Sequence, residues 1–75
     1  MLDVVIYSAE KQIFRGKANN IIFPGESGVF EVLSYHKPLL SRLVSGNVVV
    51  DDKVFAIRNG IVGISHNKAT VVIEE

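Results

Sequence analysis

Cysteine is missing from this chain, and two classes of structure are excluded with it. Without a thiol there can be no disulfide framework and no thiolate metal site. Proline is also scarce, with two copies, and glycine occurs six times. Both prolines and three of the glycines lie in one stretch, FPGESGVFEVLSYHKPLLSRLVSG, residues 23–46. We therefore expect the irregular backbone of the protein to concentrate in that third of the chain.

An excess of charge of one sign is absent as well. Eight basic residues balance eight acidic ones, whereas a nucleic-acid-binding surface needs clustered Lys and Arg. Apolar runs reach only three or four residues, against the roughly 20 that a membrane-spanning helix requires. No signal-peptide pattern opens the chain. These features predict a protein that does not bind nucleic acid or insert into a membrane, although it could lie on a membrane complex.

The residues that are present favour a β-sheet. The 75 residues, 1–75, correspond to a single domain, and hydrophobic residues make up 48% of it. Valine occurs 12 times and isoleucine eight times. Side chains branched at Cβ crowd a helical turn but pack well on a pleated surface. The composition therefore predicts an all-β fold.

Short apolar segments separated by turn residues extend along the whole chain. The candidate strands are residues 2–7, 12–17, 18–23, 29–33, 39–44, 47–50, 53–58, 61–65 and 69–74. The dipeptides Pro24-Gly25, Asp51-Asp52 and Asn59-Gly60 are predicted turns, the first of type II, and residues 66–68 form another. Nine or ten short strands at this spacing indicate a β-sandwich or barrel.

Four of the strand segments are apolar on both faces: DVVI, NIIF, NVVV and TVVI. A strand with one solvated face should instead alternate between apolar and polar residues. Isolated exposed apolar side chains are common on protein surfaces and are one explanation. The other explanation is a contiguous apolar patch that binds a partner protein.

Residues with catalytic potential are few. His36 and His66 each lie in a predicted turn, where a surface or capping role is the commoner one. The segment GESG lacks the Gly-Lys-Ser/Thr of a phosphate-binding loop, and no group of His, Asp and Glu has metal-ligand spacing. We therefore expect a protein that is not an enzyme and that holds no metal and no cofactor.

Lys53 allows an alternative function. In lipoyl and biotinyl carrier domains, a lysine at a hairpin tip of a small all-β fold holds the prosthetic group. Their motif is Asp-Lys-Ala or Met-Lys-Met, whereas DDKVF continues from Lys53 into Val and Phe. A solvated lysine beside a turn is the simpler explanation.

One spacing in residues 24–40 is shared with a known family. Its positions are Pro24, Gly25, Gly28, Phe30, Leu33, His36, Pro38, Leu39 and Leu40. This spacing resembles the Pro-Gly-x-x-Gly-x-Phe/Leu … Leu-Pro-Gly-His-Ala-Pro-Leu-Leu pattern of the epsilon subunit of F-type ATP synthases, in its N-terminal β-sandwich. SAEKQIFRG, SGNVVV and IRNGIVGISHNKATVVIEE also resemble that family, in the same order, so the resemblance covers nearly the whole chain.

The resemblance implies a ten-stranded β-sandwich of two five-stranded sheets. It also implies a non-catalytic subunit of the central stalk, or rotor, which links the gamma subunit to the c-ring and couples ion-driven rotation to ATP synthesis. Such a subunit is a peripheral membrane protein on the cytoplasmic face of the bacterial inner membrane, or at the organelle counterpart. Hydrogen ion transport, or sodium transport, is the associated process.

The same resemblance suggests which residues contact the partners. The gamma-subunit contacts would be Ser8, His36 and Ser41. The c-ring contacts would be the loop residues Gly25, Glu26, Ser27, Gly28, Val29 and Glu31. The loops of the segment 23–46 would all lie at the ring-facing end of the domain.

Two departures from the family affect these expectations. The acidic residue that usually follows the second glycine is Val29 here, and a carboxylate is found two places later at Glu31. A two-residue shift along a strand keeps a side chain on the same face. Most bacterial members also continue into a two-helix C-terminal domain, which is absent from these 75 residues. If they are the natural chain, we expect neither inhibition by helix insertion nor a nucleotide site.

Overall fold

The computed structural model describes every residue from Met1 to Glu75 and contains nine β-strands and no helix. The strands are β1 (Leu2–Tyr7), β2 (Gln12–Ala18), β3 (Asn20–Gly25), β4 (Gly28–Leu33), β5 (Leu39–Leu43), β6 (Gly46–Val50), β7 (Lys53–Ile57), β8 (Asn59–Ser65) and β9 (Lys68–Glu74). Each candidate segment of the sequence forms a strand, which confirms the all-β fold. Nowhere does the chain form an apolar helix of the length that crossing a bilayer would require.

Hydrogen bonds connect the strands into one curled sheet. Its order is β2-β1-β9-β8-β5-β3-β6-β7, with β4 on the other side of β3. Only the β1–β9 pair is parallel. β5 and β3 share a single residue pair, Leu43 with Gly25, and the sheet bends at this junction. We call the strands on one side (β2, β1, β9, β8 and β5) the β1 layer and those on the other side (β4, β3, β6 and β7) the β3 layer.

The two layers enclose one apolar core. Its buried residues are Leu2, Val4, Ile6, Ala18, Ile21, Phe23, Val32, Leu43, Val48, Val50, Ile57, Val62, Ile64, Ala69, Val71 and Ile73. Burying one such aliphatic or aromatic side chain contributes roughly 1.5–3 kcal/mol. Phe14 of β2 and Phe55 of β7 belong to opposite ends of the strand order, yet their ring centroids are 5.7 Å apart. The curled sheet therefore closes on itself through side chains.

The strand count differs from the ten that the family resemblance implied. There are nine strands, with five in the β1 layer and four in the β3 layer, so two separate five-stranded sheets are not observed. The longest segment outside the strands is residues 34–38. Tyr35 there has a φ of +63°, and Pro38 has no backbone N–H to donate, so this segment does not form a tenth strand.

Two of the predicted turns are wrong. Pro24 and Gly25 are the last residues of β3 and pair with Val29 and Gly28 of β4, so the chain reverses after them. Asn59 and Gly60 likewise open β8. In both dipeptides the glycine is needed because another backbone or ring lies too close for a Cβ atom, and not because the chain turns there. The ideal Cβ position of Gly25, for example, is 2.8 Å from the Phe30 ring.

The other two predicted turns are confirmed. Asp51 and Asp52 connect β6 to β7, and Asp51 has a φ of +53°. His66 and Asn67 connect β8 to β9 with φ angles of +52° and +59°. The His66-Asn67 turn, with positive φ at both central residues, has the signature of the type I′ turn, whose twist matches that of the flanking strands.

Candidate partner-binding surface

The predicted ring-facing loop is a tight hairpin between β3 and β4. Its turn consists only of Glu26 and Ser27, because Gly25 already pairs with Gly28. Both turn residues are exposed. Val29 follows in β4 and is also exposed. The carboxylate and the hydroxyl at this tip are therefore available to a neighbouring molecule.

Glu31 lies in the middle of β4 rather than in the loop. Its side chain is exposed on the same face of the strand as that of Val29, as their two-residue spacing predicts. Asn20, its neighbour on β3, donates a hydrogen bond from Nδ2 to Glu31 Oε2 at 2.6 Å. The carboxylate is therefore held in a fixed orientation while it remains accessible.

His36 lies in the loop 34–38, between β4 and β5, and is half-buried. Its backbone N–H donates to the Leu33 carbonyl at 3.2 Å, and its Nδ1 is 2.8 Å from the Lys37 carbonyl oxygen. A carbonyl oxygen only accepts hydrogen bonds, so Nδ1 must carry the proton. In the neutral ring Nε2 is then free to accept a hydrogen bond from a partner.

The two serines are positioned differently from each other. Ser8 opens the β1–β2 loop, where its backbone N–H donates to the Lys11 carbonyl at 2.8 Å. Its hydroxyl donates to the same carbonyl at 3.3 Å. Ser41 is a half-buried residue of β5, and its hydroxyl is 3.3 Å from the Arg42 carbonyl. Both hydroxyls are thus oriented by the local backbone.

The structure does not bring the three predicted gamma contacts together. Leu39 at the start of β5 lies in the same cross-strand row as Val4, near the start of β1. His36 therefore lies at the end of the β1 layer where β1 begins, whereas Ser8 lies where β1 ends. Ser41 lies between them. Six strand residues span about 20 Å, so a single partner must extend along the layer to reach Ser8 and His36.

The loops of the segment 23–46 also lie at two different ends of the molecule. β4 begins after the turn at Glu26 and Ser27 and ends at the loop that holds His36. The turn and the loop are therefore separated by the full length of β4. The expectation that both would lie at one end is wrong. Gly25 pairs with Leu43, at the end of β5 remote from His36, so the turn lies near the Ser8 end of the domain.

An open groove of about 1000 Å3 lies on the outer face of the β1 layer beside Ser8. Ile61 and Val72, which are a cross-strand pair, are its exposed apolar residues. Arg42 and Glu74 also line it. Its shape and mixed lining are suited to contact with another chain along the side of the layer.

The strands that are apolar on both faces differ in whether the second face is covered by other residues of the chain. In β1 the second face is covered within the chain, because Val5 is only 2% exposed. In β3 and β6 the second face reaches the outer surface through Ile22 and Val49, which pair with each other. Val54 of β7 continues this row. It was not predicted from the sequence as part of an apolar surface, although the alternation in KVFAIR places Val54 and Phe55 on opposite faces of β7.

Lys53 is the first residue of β7, directly after the turn at Asp51 and Asp52. Its Nζ is 3.9 Å from the Asp52 carboxylate, and both side chains are well exposed. No group of three His, Asp or Glu side chains in the molecule has the arrangement of a metal site.

The whole chain, residues 1–75, matches the family described as "ATP synthase, Delta/Epsilon chain, beta-sandwich domain". An ATP synthase epsilon chain of Chlorobaculum tepidum is 39% identical over 79 residues, which cover 99% of this chain and 88% of the relative. Epsilon chains of Xanthomonas campestris and Protochlamydia amoebophila are 38% and 31% identical over 92% of this chain. The chain spans about half the length of these two relatives, 53% and 50%.

Two solved structures share the fold. A chain in the Euglena gracilis mitochondrial ATP synthase (OSCP/F1/c-ring) superposes with a TM-score of 0.90 at 16% identity, over 99% of this chain and 51% of that one. A chain in the central stalk/c-ring structure of the Tetrahymena thermophila mitochondrial enzyme gives 0.81 at 15% identity, over 99% and 63%. These matches do not favour a carrier domain modified at Lys53. The chain belongs to the family of ATP synthase delta/epsilon chain β-sandwich domains.

Proposed function

We propose that this chain is a non-catalytic central-stalk subunit of an F-type ATP synthase, which links the gamma subunit to the c-ring. The observation that carries the proposal is the family match over residues 1–75, together with 39% identity to an epsilon chain over nearly the whole sequence. In this function the domain is a rigid connector. It transmits the rotation of an ion-driven ring, turned by protons or by sodium ions, to the catalytic head.

The architecture suits a connector that carries torque. All nine strands belong to one hydrogen-bonded sheet, eight of them along a single path with β4 attached to β3, and the two layers share a close-packed core. Close-packed interiors have low compressibility and transmit strain rather than absorb it. A force applied to the β3–β4 turn would therefore reach the β1 layer with little internal deformation.

We assign the gamma contacts to Ser8, His36 and Ser41. A gamma surface lying along the β1 layer would meet the groove beside Ser8 and extend to the loop of His36, where Nε2 offers an acceptor. Hydrogen bonds to such oriented groups position a partner without much loss of side-chain freedom.

We assign the ring contact to the β3–β4 hairpin, with the exposed Glu26 and Ser27 at its tip and Val29 beside it. The c-ring would then meet the Ser8 end of the domain. The protein would lie at the membrane surface as a peripheral subunit, on the cytoplasmic face in a bacterium or at the equivalent position in an organelle.

The test is reconstitution of a complex that lacks this chain. Membrane vesicles carrying the ATP synthase are prepared without it, and ATP synthesis driven by an ion gradient is measured before and after the purified chain is added back. We expect gradient-driven synthesis at background level without the chain and restored synthesis with it. Hydrolysis by the catalytic head should persist in both. Full gradient-driven synthesis in its absence would refute the connector function.

A further inference from the structure

A small cleft on the outer face of the β1 layer collects positive charge. It lies over β1, between β2 and β9, and has a volume of about 360 Å3. Arg15, Lys17 and Lys68 line it, and Asp3 is its only carboxylate. Three cations and one carboxylate give the cleft a net charge of +2. We call this cavity, lined by Asp3, Val5, Arg15, Lys17 and Lys68, the Val5 cleft.

The groove beside Ser8 has the opposite charge. Arg42 is its one cation, and Glu10, Glu74 and Glu75 are its carboxylates, so its net charge is −2. The chain as a whole has no net charge. The positive charge at the Val5 cleft is therefore a local concentration and not a property of the entire surface.

Val5 forms the floor of the cleft. It lies in one cross-strand row with the exposed Arg15 and Thr70, and it is not part of the core between the two layers. Val5 is nevertheless only 2% exposed. Lys17 and Lys68 occupy the positions diagonal to it on the neighbouring strands. The aliphatic stems of these cations therefore cover Val5, and their charged ends surround one point above it.

Two of the three cations have no carboxylate partner in the chain. Lys17 Nζ lies 3.2 Å from Asp3 Oδ1, whereas neither Arg15 nor Lys68 forms an ion pair. Arg15 Nε donates a hydrogen bond to Gln12 Oε1 at 3.2 Å. This bond orients the guanidinium and leaves its two terminal nitrogens free to donate. Arg15 and Lys68 are therefore available to an anion from outside.

We propose that the Val5 cleft binds a small molecule that carries one or two phosphate groups. A phosphate group brings about two negative charges and three acceptor oxygens, which match the net charge of the cleft and the planar fork of Arg15. The volume is within the range of small-molecule sites, roughly 300–1000 Å3. The inference goes beyond the proposed function, because none of the contacts assigned to the gamma subunit or to the c-ring lines this cleft.

The layout of the charges favours a soluble ligand over a lipid surface. Basic segments that bind anionic membranes have about four to eight Lys and Arg side chains. The Val5 cleft has three, together with the carboxylate of Asp3, which an anionic surface would repel. Its cations also surround a cavity rather than project from a broad face. A phosphate-bearing molecule that fits into the cavity meets this arrangement better.

Titration of the free chain with pyrophosphate tests the site. The 15N-labelled protein is followed by NMR while NaCl keeps the ionic strength constant. We expect saturable shifts confined to the amides of Val5, Arg15, Gly16 and Lys68 and their neighbours. The dissociation constant should be about 1 mM or lower, as two or three charge-assisted hydrogen bonds allow. Sedimentation with vesicles of phosphatidylglycerol and phosphatidylcholine should show no binding.

Four variants separate a site from diffuse attraction. Lys68→Gln should weaken pyrophosphate binding by about tenfold or more, because a charge-assisted hydrogen bond is lost. Arg15→Lys keeps the charge but removes the fork, and should weaken binding by about threefold or more. Asp3→Asn should tighten binding by about threefold, since it removes a repulsive charge. Lys53→Gln, the matched loss of one cation outside the cleft, should change the affinity by less than about twofold.

Three results would overturn the proposal. The first is the absence of saturable shifts at pyrophosphate concentrations up to about 10 mM, an affinity too weak for a site with these hydrogen bonds. The second is equal weakening by Lys68→Gln and Lys53→Gln, which would show attraction to overall charge. The third is vesicle binding that Lys68→Gln abolishes, which would assign the cations to a membrane. The gain expected for Asp3→Asn cannot arise from misfolding, so it supports the site independently of the losses.

Discussion

Gly60 and Gly63 belong to the same strand, β8, but their surroundings are different. A Cβ atom at Gly60 would be 2.6 Å from the backbone oxygen of Val72, a distance that real Cβ atoms do not show. At Gly63 the nearest atom is Leu40 Cδ1, at 3.9 Å, which is an ordinary contact. Gly60 is therefore required by the close approach of β9, and Gly63 is not.

Replacing each glycine by alanine tests this difference. Gly60→Ala should lower the free energy of unfolding by about 2–3 kcal/mol, because the backbone of β9 must move. Gly63→Ala should leave it unchanged or raise it by up to about 1 kcal/mol, since alanine loses less backbone entropy on folding. Urea unfolding of both variants measures the two values. Equal effects would show that the backbones of β8 and β9 are not in this close contact.

The same glycine explains a failure of prediction from sequence. Asn59-Gly60 and Pro24-Gly25 are frequent turn dipeptides because glycine adopts positive φ. Here both glycines lie in strands, at positions where a neighbouring backbone or ring leaves no room for Cβ. Such crowding depends on which strand becomes the neighbour, and local sequence does not contain that information.

Among the elements, the β8–β9 turn connects parts of the chain that are distant in sequence. Asn67 in this turn accepts a hydrogen bond from the Tyr35 N–H at 2.7 Å and donates one from Nδ2 to the Met1 carbonyl at 2.8 Å. It thereby fixes the loop that holds His36 and the start of β1. The turn was predictable from its residues, but these two bonds were not, because their partners are far away along the chain.

Asn67→Gly keeps the positive φ but removes both side-chain hydrogen bonds. We expect the free energy of unfolding to fall by about 1–3 kcal/mol. This is the range when backbone groups, here the Tyr35 N–H and the Met1 carbonyl, lose their hydrogen-bond partners. Hydrogen exchange at the Tyr35 amide should become faster. His66→Gly, at the other positive-φ position of the turn, is the control and should stay within about 0.5 kcal/mol of wild type. Unchanged exchange at Tyr35 in Asn67→Gly would contradict this anchoring role.

The strands themselves were the most predictable elements. Each candidate segment became a strand, because runs of Val and Ile have a stiff Cβ branch and a pattern that suits a pleated surface. Strand order was not predictable in the same way. The division of the sheet depends on the single Leu43–Gly25 pair, and neither residue carries a local signal of it.

For the molecule as a whole, the balance of charge and apolar surface determines how the subunit is held. Equal numbers of acidic and basic residues give no net charge, so long-range attraction contributes little to assembly. The family resemblance suggested candidate contact residues, Glu31 among them, but not that Ile22, Val49 and Val54 lie in one cross-strand row with Glu31. That row follows only from which strands lie side by side.

We expect the complex with the gamma subunit to withstand moderate salt. Raising the NaCl concentration from about 50 to about 500 mM should weaken binding by less than about tenfold, because screening acts mainly on exposed charges and little on apolar contacts. Titration calorimetry at several salt concentrations measures this dependence. An increase of a hundredfold or more in the dissociation constant over the same range would show that exposed charges, not apolar burial, dominate the interface.

The parallel pairing of β1 with β9 has a consequence for how the chain is made. β1 can pair with β2 as soon as both strands have been synthesised, but its other edge has no partner until β9, residues 68–74, follows. The core residues Val4 and Ile6 therefore stay incompletely covered while most of these 75 residues are made, and the sheet cannot close before β9 is available.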